Sequence, residues 1–257
     1  MSEGWEHDGE EWPRINAGLA ILGWRFTESV SNEDSSELLR IADCALAVSD
    51  TDPLFEKKIE ALAYEAYVIL DIYVMEVGER AAMLTGPYLE SKYLPQIASL
   101  IGEGALAYYR GYYTASFSVL LIALERYLRL VLEDTQPSAN TSFAALRQGI
   151  SCFQSSKFLD YAEIVLKGLY GRYDPASPTR FYFNRHGLLH GIREPLEIDR
   201  MNSSRMFALF DLLLGAEIGS IPRYMVDRKA FDQACDALSA CSRSKREAAF
   251  LNSARQS

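Results

Sequence analysis

This chain of 257 residues has no long hydrophobic run. Its most apolar stretches are Phe117–Leu124 and Met206–Gly215, the second interrupted by Asp211. Both fall short of the roughly 20 apolar residues that a membrane-spanning helix needs. The opening MSEGWEHDGEEW is acidic and lacks the basic segment and apolar core of a secretory signal. Cysteine is scarce: Cys44, Cys152, Cys235 and Cys241 are scattered, with no CxxC pair. They read as reduced thiols of a cytoplasmic protein. A chain of this length can bury about 70–75% of its extended surface, so it needs neither disulfides nor a structural metal. No strand pattern and no internal repeat is present. A hydrophobic content of 49% with 24% charged residues excludes disorder over the whole chain.

The net charge of −9 is unevenly placed. Residues 1–60 carry 14 Asp/Glu against 5 Lys/Arg, while residues 61–257 carry 21 of each. A balanced remainder argues against a broad nucleic-acid-coating surface, which requires an excess of cations to displace counterions. It leaves room for a small site that grips one phosphate.

What is present is helical periodicity almost throughout. The pattern predicts helices from Pro13 to about Val30, from an Asn32 or Ser35 cap to Ser49, and from Thr51-Asp52-Pro53 to about Gly78. Gly86-Pro87 is the main break, dividing an acidic N-terminal region (1–86) from a helical bundle (87–222) and a C-terminal helix with a polar tail (223–257). A helix with Pro95 near its start comes next. The strongest signal is a single helix from Gly104 to Asp134, whose Phe117, Leu120, Leu121, Leu124, Tyr127, Leu128 and Val131 recur every three or four residues. Further helices are expected at 142–152, 156–170 and 179–191, from Asp199 or Asn202 through Leu214, and from Arg228 to Cys241. The class is all-α.

Only three histidines occur, His7, His186 and His190, and the last two stand in Asn184-Arg185-His186-Gly187-Leu188-Leu189-His190-Gly191. Three readings compete. As zinc ligands the pair has i, i+4 spacing on one helix face, but Gly187 stands where HExxH places its general base, and no further ligand set lies nearby. As structural groups they suit a helix that ends at Gly191, with His190 near the C-terminal dipole. As catalytic groups they suit metal-free cleavage of a phosphodiester. Histidine exchanges protons near neutrality, and arginine's fixed fork fits phosphate oxygens. Arg185 and His190 lie about 140° apart on a regular helix. Their convergence needs arginine's reach, a distortion at Gly187 or a second protomer.

Arg185-His186-Gly187-Leu188-Leu189-His190 resembles the R-x(4–6)-H motif of the HEPN superfamily, with His186 in the polar slot after the arginine. Tyr108–Leu132 resembles the helix that precedes this motif in such proteins, and Met206–Ile218 the apolar helix that follows it. The likeness spans roughly residues 88–220. It implies an α-helical bundle, a homodimer with a composite site, and metal-independent endoribonuclease activity with no cofactor. The setting it implies is a bacterial defence or toxin–antitoxin system, with an antitoxin or defence-complex protein as a further partner. It also implies His190 as acid or base, Arg185 as phosphate clamp and His186 as a supporting group. RNA contacts are expected from Asn184, Glu125 and Tyr182. Glu125 better suits an i, i+4 surface pair with Arg129. Tyr108, Tyr109, Tyr112 and Tyr113, around Arg110, and Phe181-Tyr182-Phe183 suit either base stacking or packing. The run Arg243-Ser244-Lys245-Arg246 suits a solvated tail or an RNA contact. A non-catalytic helical adaptor is the alternative, and there the acidic residues 1–60 would bind a basic partner or occlude the RNA site.

Overall fold

A computed structural model describes residues 11–24, 31–135, 166, 169, 170, 200–218 and 227–254. Among these the chain is all-α, with no strand. The predicted helices at 142–152 and 179–191 lie outside the described residues, as does 156–170 apart from Leu166, Leu169 and Tyr170, which are helical.

Helix α1 (Glu11–Ile21) stops well short of Val30. Gly23 takes a left-handed φ of 72°, and the amides of Gly23 and Trp24 turn back to the carbonyls of Ala20 and Leu19 (3.0 and 2.8 Å). Those bonds close the last turn on a residue that has no Cβ to clash. Helix α2 (Asn32–Ala47) is capped by Ser31, whose Oγ accepts from the Asp34 amide at 3.1 Å; neither Asn32 nor Ser35 is the cap. Helix α3 (Phe55–Val74) starts where Asp52 accepts from the Leu54 amide at 2.8 Å. It ends at Val74 instead of Gly78. The Arg80 guanidinium takes the Val74 carbonyl (2.6 and 3.0 Å), and Glu76 caps α4 (Val77–Thr85) through the Glu79 amide at 2.7 Å.

Gly86 joins α4 to the short α5 (Pro87–Glu90). A 3₁₀ turn (Leu94–Ile97) containing Pro95 leads into α6 (Ala98–Tyr109), and α7 (Tyr113–Thr135) follows. The single helix expected over Gly104–Asp134 is therefore two. Gly111 has φ 83°, which an α-helix cannot accommodate, and the chain reverses there so that Gly104 lies against Leu120. Helix α8 (Arg200–Ile218) is buried on every side from Met201 to Ala216. Asn202 lies inside it rather than capping it, and Asp199 is outside the described residues. Helix α9 begins at Arg228, with Asp227 accepting from the Lys229 amide at 2.9 Å. It continues past Cys241 to Ala254, so the backbone of the expected polar tail is helical over most of its length. No helix of the described residues is long and apolar enough to cross a membrane.

The apolar core has two parts. Ile15, Leu19, Leu38, Ile41, Ile59 and Leu70 of the first three helices form one with Trp24, just beyond α1, and Met201 of α8 is added to it. The other runs from Val74 through α4–α7 to Met206–Leu214 of α8 and Leu238 and Cys241 of α9. Helix α8 thus touches both, and α3 supplies Leu70 to one and Val74 to the other.

At the α1–α2 crossing, a Cβ on Gly18 would lie 2.4 Å from the Ala42 Cα. Backbone cannot yield as a side-chain tip can. Gly18→Ala is expected to destabilise by about 1–3 kcal/mol through overpacking. Gly102, inside α6, has open space around its Cβ position. Gly102→Ala is expected to stabilise by about 0.5–1 kcal/mol through helix propensity. Urea melts of the two variants, shifted in opposite directions, check the pair.

Candidate functional site

Tyr182, Asn184, Arg185, His186 and His190 lie outside the described residues, as do Phe181 and Phe183. Glu125 is described. It is half-buried on α7, and its Oε1 is closed off from solvent, whereas Arg129 is exposed. The described chain resumes at Arg200, ten residues after His190.

Arg200 opens α8 with a half-exposed side chain. Its Nε donates to the Tyr108 hydroxyl at 2.7 Å, and its Nη2 pairs with Asp71. Tyr108 in turn donates to Asp71 Oδ1 at 2.6 Å. This closed triangle joins α3, α6 and α8. Burial, then the Asp71 carboxylate, pushes the Tyr108 phenol well above its ordinary pKa, so it remains a donor. One turn on, Ser203 Oγ donates to the Tyr113 carbonyl at 2.8 Å and fixes the α6–α7 turn against α8. Arg205 donates to the Leu22 carbonyl (2.7 Å) and covers the Trp24 ring (5.3 Å), which ties α8 to the end of α1.

Of the tyrosines weighed as a stacking platform, Tyr108 and Tyr109 are packing residues. Both rings are buried, and the Tyr109 hydroxyl donates to the Met75 carbonyl at 2.8 Å. Tyr113 is half-buried, its ring 5.3 Å from that of Tyr108. Tyr112 and Arg110 alone of this group face solvent.

Deeper in the core, Arg80 of α4 forms a bidentate pair with Asp211 of α8 (2.9 and 2.8 Å). Its Nη1 also donates to the Tyr88 hydroxyl at 2.9 Å, and Tyr88 donates to Asp211 Oδ1. The Phe207 ring covers the guanidinium at 5.0 Å. Burial is the largest influence and opposes the Arg80 charge, but Asp211, Tyr88 and Tyr109 together outweigh it and raise the pKa above its ordinary value. Burial raises the Tyr88 phenol, and the Asp211 charge adds to the effect. A third cluster surrounds Glu217. Its carboxylate accepts from the Ser91 hydroxyl (2.7 Å), the Tyr127 hydroxyl (3.2 Å) and the Lys92 amide.

These clusters organise helices. Each carboxylate in them is already hydrogen-bonded, and among the described residues no group of three or more His, Cys, Asp or Glu is arranged to hold a metal. Cys44, Cys235 and Cys241 are not in disulfides, Cys44 being exposed and Cys241 buried. Sequence reasoning missed Asp71, Arg80 and Arg200. The one available signal was a carboxylate inside an apolar run, as at Asp211 among Met206–Gly215 and Asp71 between Leu70 and Ile72. Such a residue needs a cationic partner, and the buried Arg80 and the half-exposed Arg200 supply one each.

No protein-family model, curated protein or solved structure matches the chain.

Proposed function

We propose that the chain is a metal-independent endoribonuclease of HEPN type, acting in the cytoplasm as a homodimer within a bacterial defence or toxin–antitoxin system. The observation that carries this reading is Arg185-x4-His190, which gathers two of the chain's three histidines beside an arginine in an all-α protein. His190 takes the proton from a ribose 2′-OH. The 2′-oxygen bonds to phosphorus, and the P–O5′ bond breaks. The 5′-oxygen leaves with a proton returned by His190 or His186, so the products are a 2′,3′-cyclic phosphate and a 5′-hydroxyl. Arg185 holds the non-bridging oxygens, and its charge is matched to the phosphorane. Asn184, Glu125 and Tyr182 contact the RNA. The partner is an RNA substrate, joined by a second copy of the chain and an antitoxin or defence-complex protein. No metal takes part in the proposed step.

The test is an RNA oligonucleotide compared with its 2′-deoxy counterpart at the cleaved position. Cleavage of the first, with cyclic-phosphate ends, and resistance of the second are expected. Products ending in 3′-hydroxyl and 5′-phosphate would overturn the mechanism, because the 2′-oxygen would then not be the nucleophile.

The adaptor reading draws support from one observation. Among the described residues, most of the large apolar side chains left exposed lie on α2, α3 and the turn between them, within the acidic part of the chain.

A further inference from the structure

Helix α3 has a buried face and an unusual outer one. Ile59, Ala63, Ala66 and Leu70 point into the first core, as an amphipathic helix requires. The opposite face is also apolar. Tyr64, Val68 and Ile72 are 58%, 53% and 65% exposed, and they recur at i, i+4 and i+8. On a regular helix they fall within about 80° of one another and span about 12 Å. Ala61 is exposed in the same stripe. Scattered exposed apolar residues are ordinary, whereas an aligned stripe of large ones on a single helix marks a surface that is covered in use. The stripe is also pre-set. The Tyr64 ring leans on Tyr67 (5.7 Å between centroids), which stacks on the buried Trp24 (6.1 Å).

Charge decides what covers it. From residue 31 to 76 the chain carries eleven Asp/Glu against three Lys/Arg, a net −8. Glu60 and Glu65 flank the stripe on either side and are exposed. Of the three cations in this stretch, Lys57 is exposed at the N-terminal end of the stripe, and the other two are engaged. Arg40 sits between Glu37 (2.7 Å) and Glu65 (2.5 Å), and Lys58 pairs with Asp52 (2.6 Å). A second copy docked here would set −8 against −8, and anionic lipid headgroups would be repelled in the same way. One apolar stripe about one helix wide, with carboxylates along its edges, complements a helix with an apolar face and cationic flanks.

We infer that the outer face of α3 is a docking surface for a basic amphipathic helix of a partner protein, centred on Val68. The inference stands on described residues alone and does not depend on the nuclease reading.

The test uses the full chain and two fluorescently labelled 18-residue helical peptides. Both carry leucine at i, i+4, i+8 and i+11; one has lysine on its flanks, the other glutamate. Fluorescence anisotropy is expected to show binding of the lysine peptide and none of the glutamate peptide over the same concentration range. Val68→Glu and, separately, Ile72→Glu are expected to weaken the lysine peptide by about tenfold or more, because each removes a buried aliphatic contact. Both substitutions make the surface more acidic, so bulk attraction would instead tighten binding. Both sites are exposed, and circular dichroism checks that each variant keeps the wild-type melt. Unchanged or tighter binding by the two variants would overturn the inference. So would equal binding of both peptides, or sedimentation of the wild type as a dimer that Val68→Glu converts to monomer.

Discussion

Asp211→Ala is expected to destabilise the protein by about 3–5 kcal/mol, the cost of leaving one partner of a buried ion pair uncompensated. The chain's net stability is expected to be about 5–15 kcal/mol, so the loss is a large part of the whole. The size follows from the geometry. Arg80 is 2% exposed, and both of its Nη atoms bond to Asp211. Removing the carboxylate leaves, among the described residues, the Val74 carbonyl and the Tyr88 hydroxyl as the polar partners of a buried cation. The double variant Arg80→Met/Asp211→Leu removes both charges together and is expected to be markedly more stable than Asp211→Ala. Urea unfolding monitored by circular dichroism checks both. A double variant as unstable as the single one would mean that shape at this site matters more than charge. Tyr88 links the same cluster, so the effects of these positions are expected not to add.

Above about pH 10 the protein is expected to unfold cooperatively as its buried phenols ionise. Burial is the leading cause that raises the pKa of Tyr88, Tyr108, Tyr109 and Tyr127, and acceptor carboxylates add to it at Tyr88, Tyr108 and Tyr127. In the unfolded chain each titrates near its ordinary value, about 10. Between that value and the raised folded value the native state holds protons that the unfolded state has released, so stability falls as pH rises. Stability from these four is therefore complete below about pH 10 and is lost above it, at about 1.4 kcal/mol per pH unit for each phenol. Together they remove about 5 kcal/mol per unit, enough to unfold a domain within one or two units. Tyrosinate absorbance near 295 nm is expected to rise in two stages. Exposed tyrosines titrate first; the final rise coincides with loss of the helical signal at 222 nm. Complete ionisation with the helices intact would contradict this account of the core.

The helical class and most starts were legible in the sequence, because caps and breakers act locally. Asp52 and Pro53 announced α3, whereas Gly86-Pro87, read as the main domain break, lies between α4 and α5, and α4 itself was not expected. The boundaries that were missed are set by distant residues or by one backbone angle. Helix α3 ends at Val74 because Arg80, six residues on, takes its carbonyl, and no composition rule marks Val74 as an end. Gly111 sits among aromatics that continue the apolar pattern, so the reversal between α6 and α7 looked like a tolerated glycine. Helix α8 gave a weak periodic signal because it has no solvent side to be polar. Its buried Asn202, Ser203, Ser204, Arg205 and Asp211 read as a surface until their neighbours are known.

The candidate site divides differently. Arg185, His186 and His190 were legible as residue types in a pattern, and they lie outside the described residues. Of the residues expected to contact RNA, Glu125 is the described one, half-buried on α7. The clusters anchoring α8, Asp71–Tyr108–Arg200 and Arg80–Tyr88–Asp211, were illegible because each assembles residues from three separate helices.

The most direct test of the nuclease reading is cleavage of a mixed RNA pool in excess EDTA by the wild-type chain, His190→Ala and Arg185→Ala/His190→Ala. The wild type is expected to cleave at an undiminished rate in the chelator. Loss of His190 is expected to slow it about 10²–10⁴-fold, the usual worth of a positioned acid or base. The double variant is expected to be inactive. An undiminished rate in His190→Ala, or wild-type cleavage abolished by EDTA and restored by a divalent cation, would contradict the proposal.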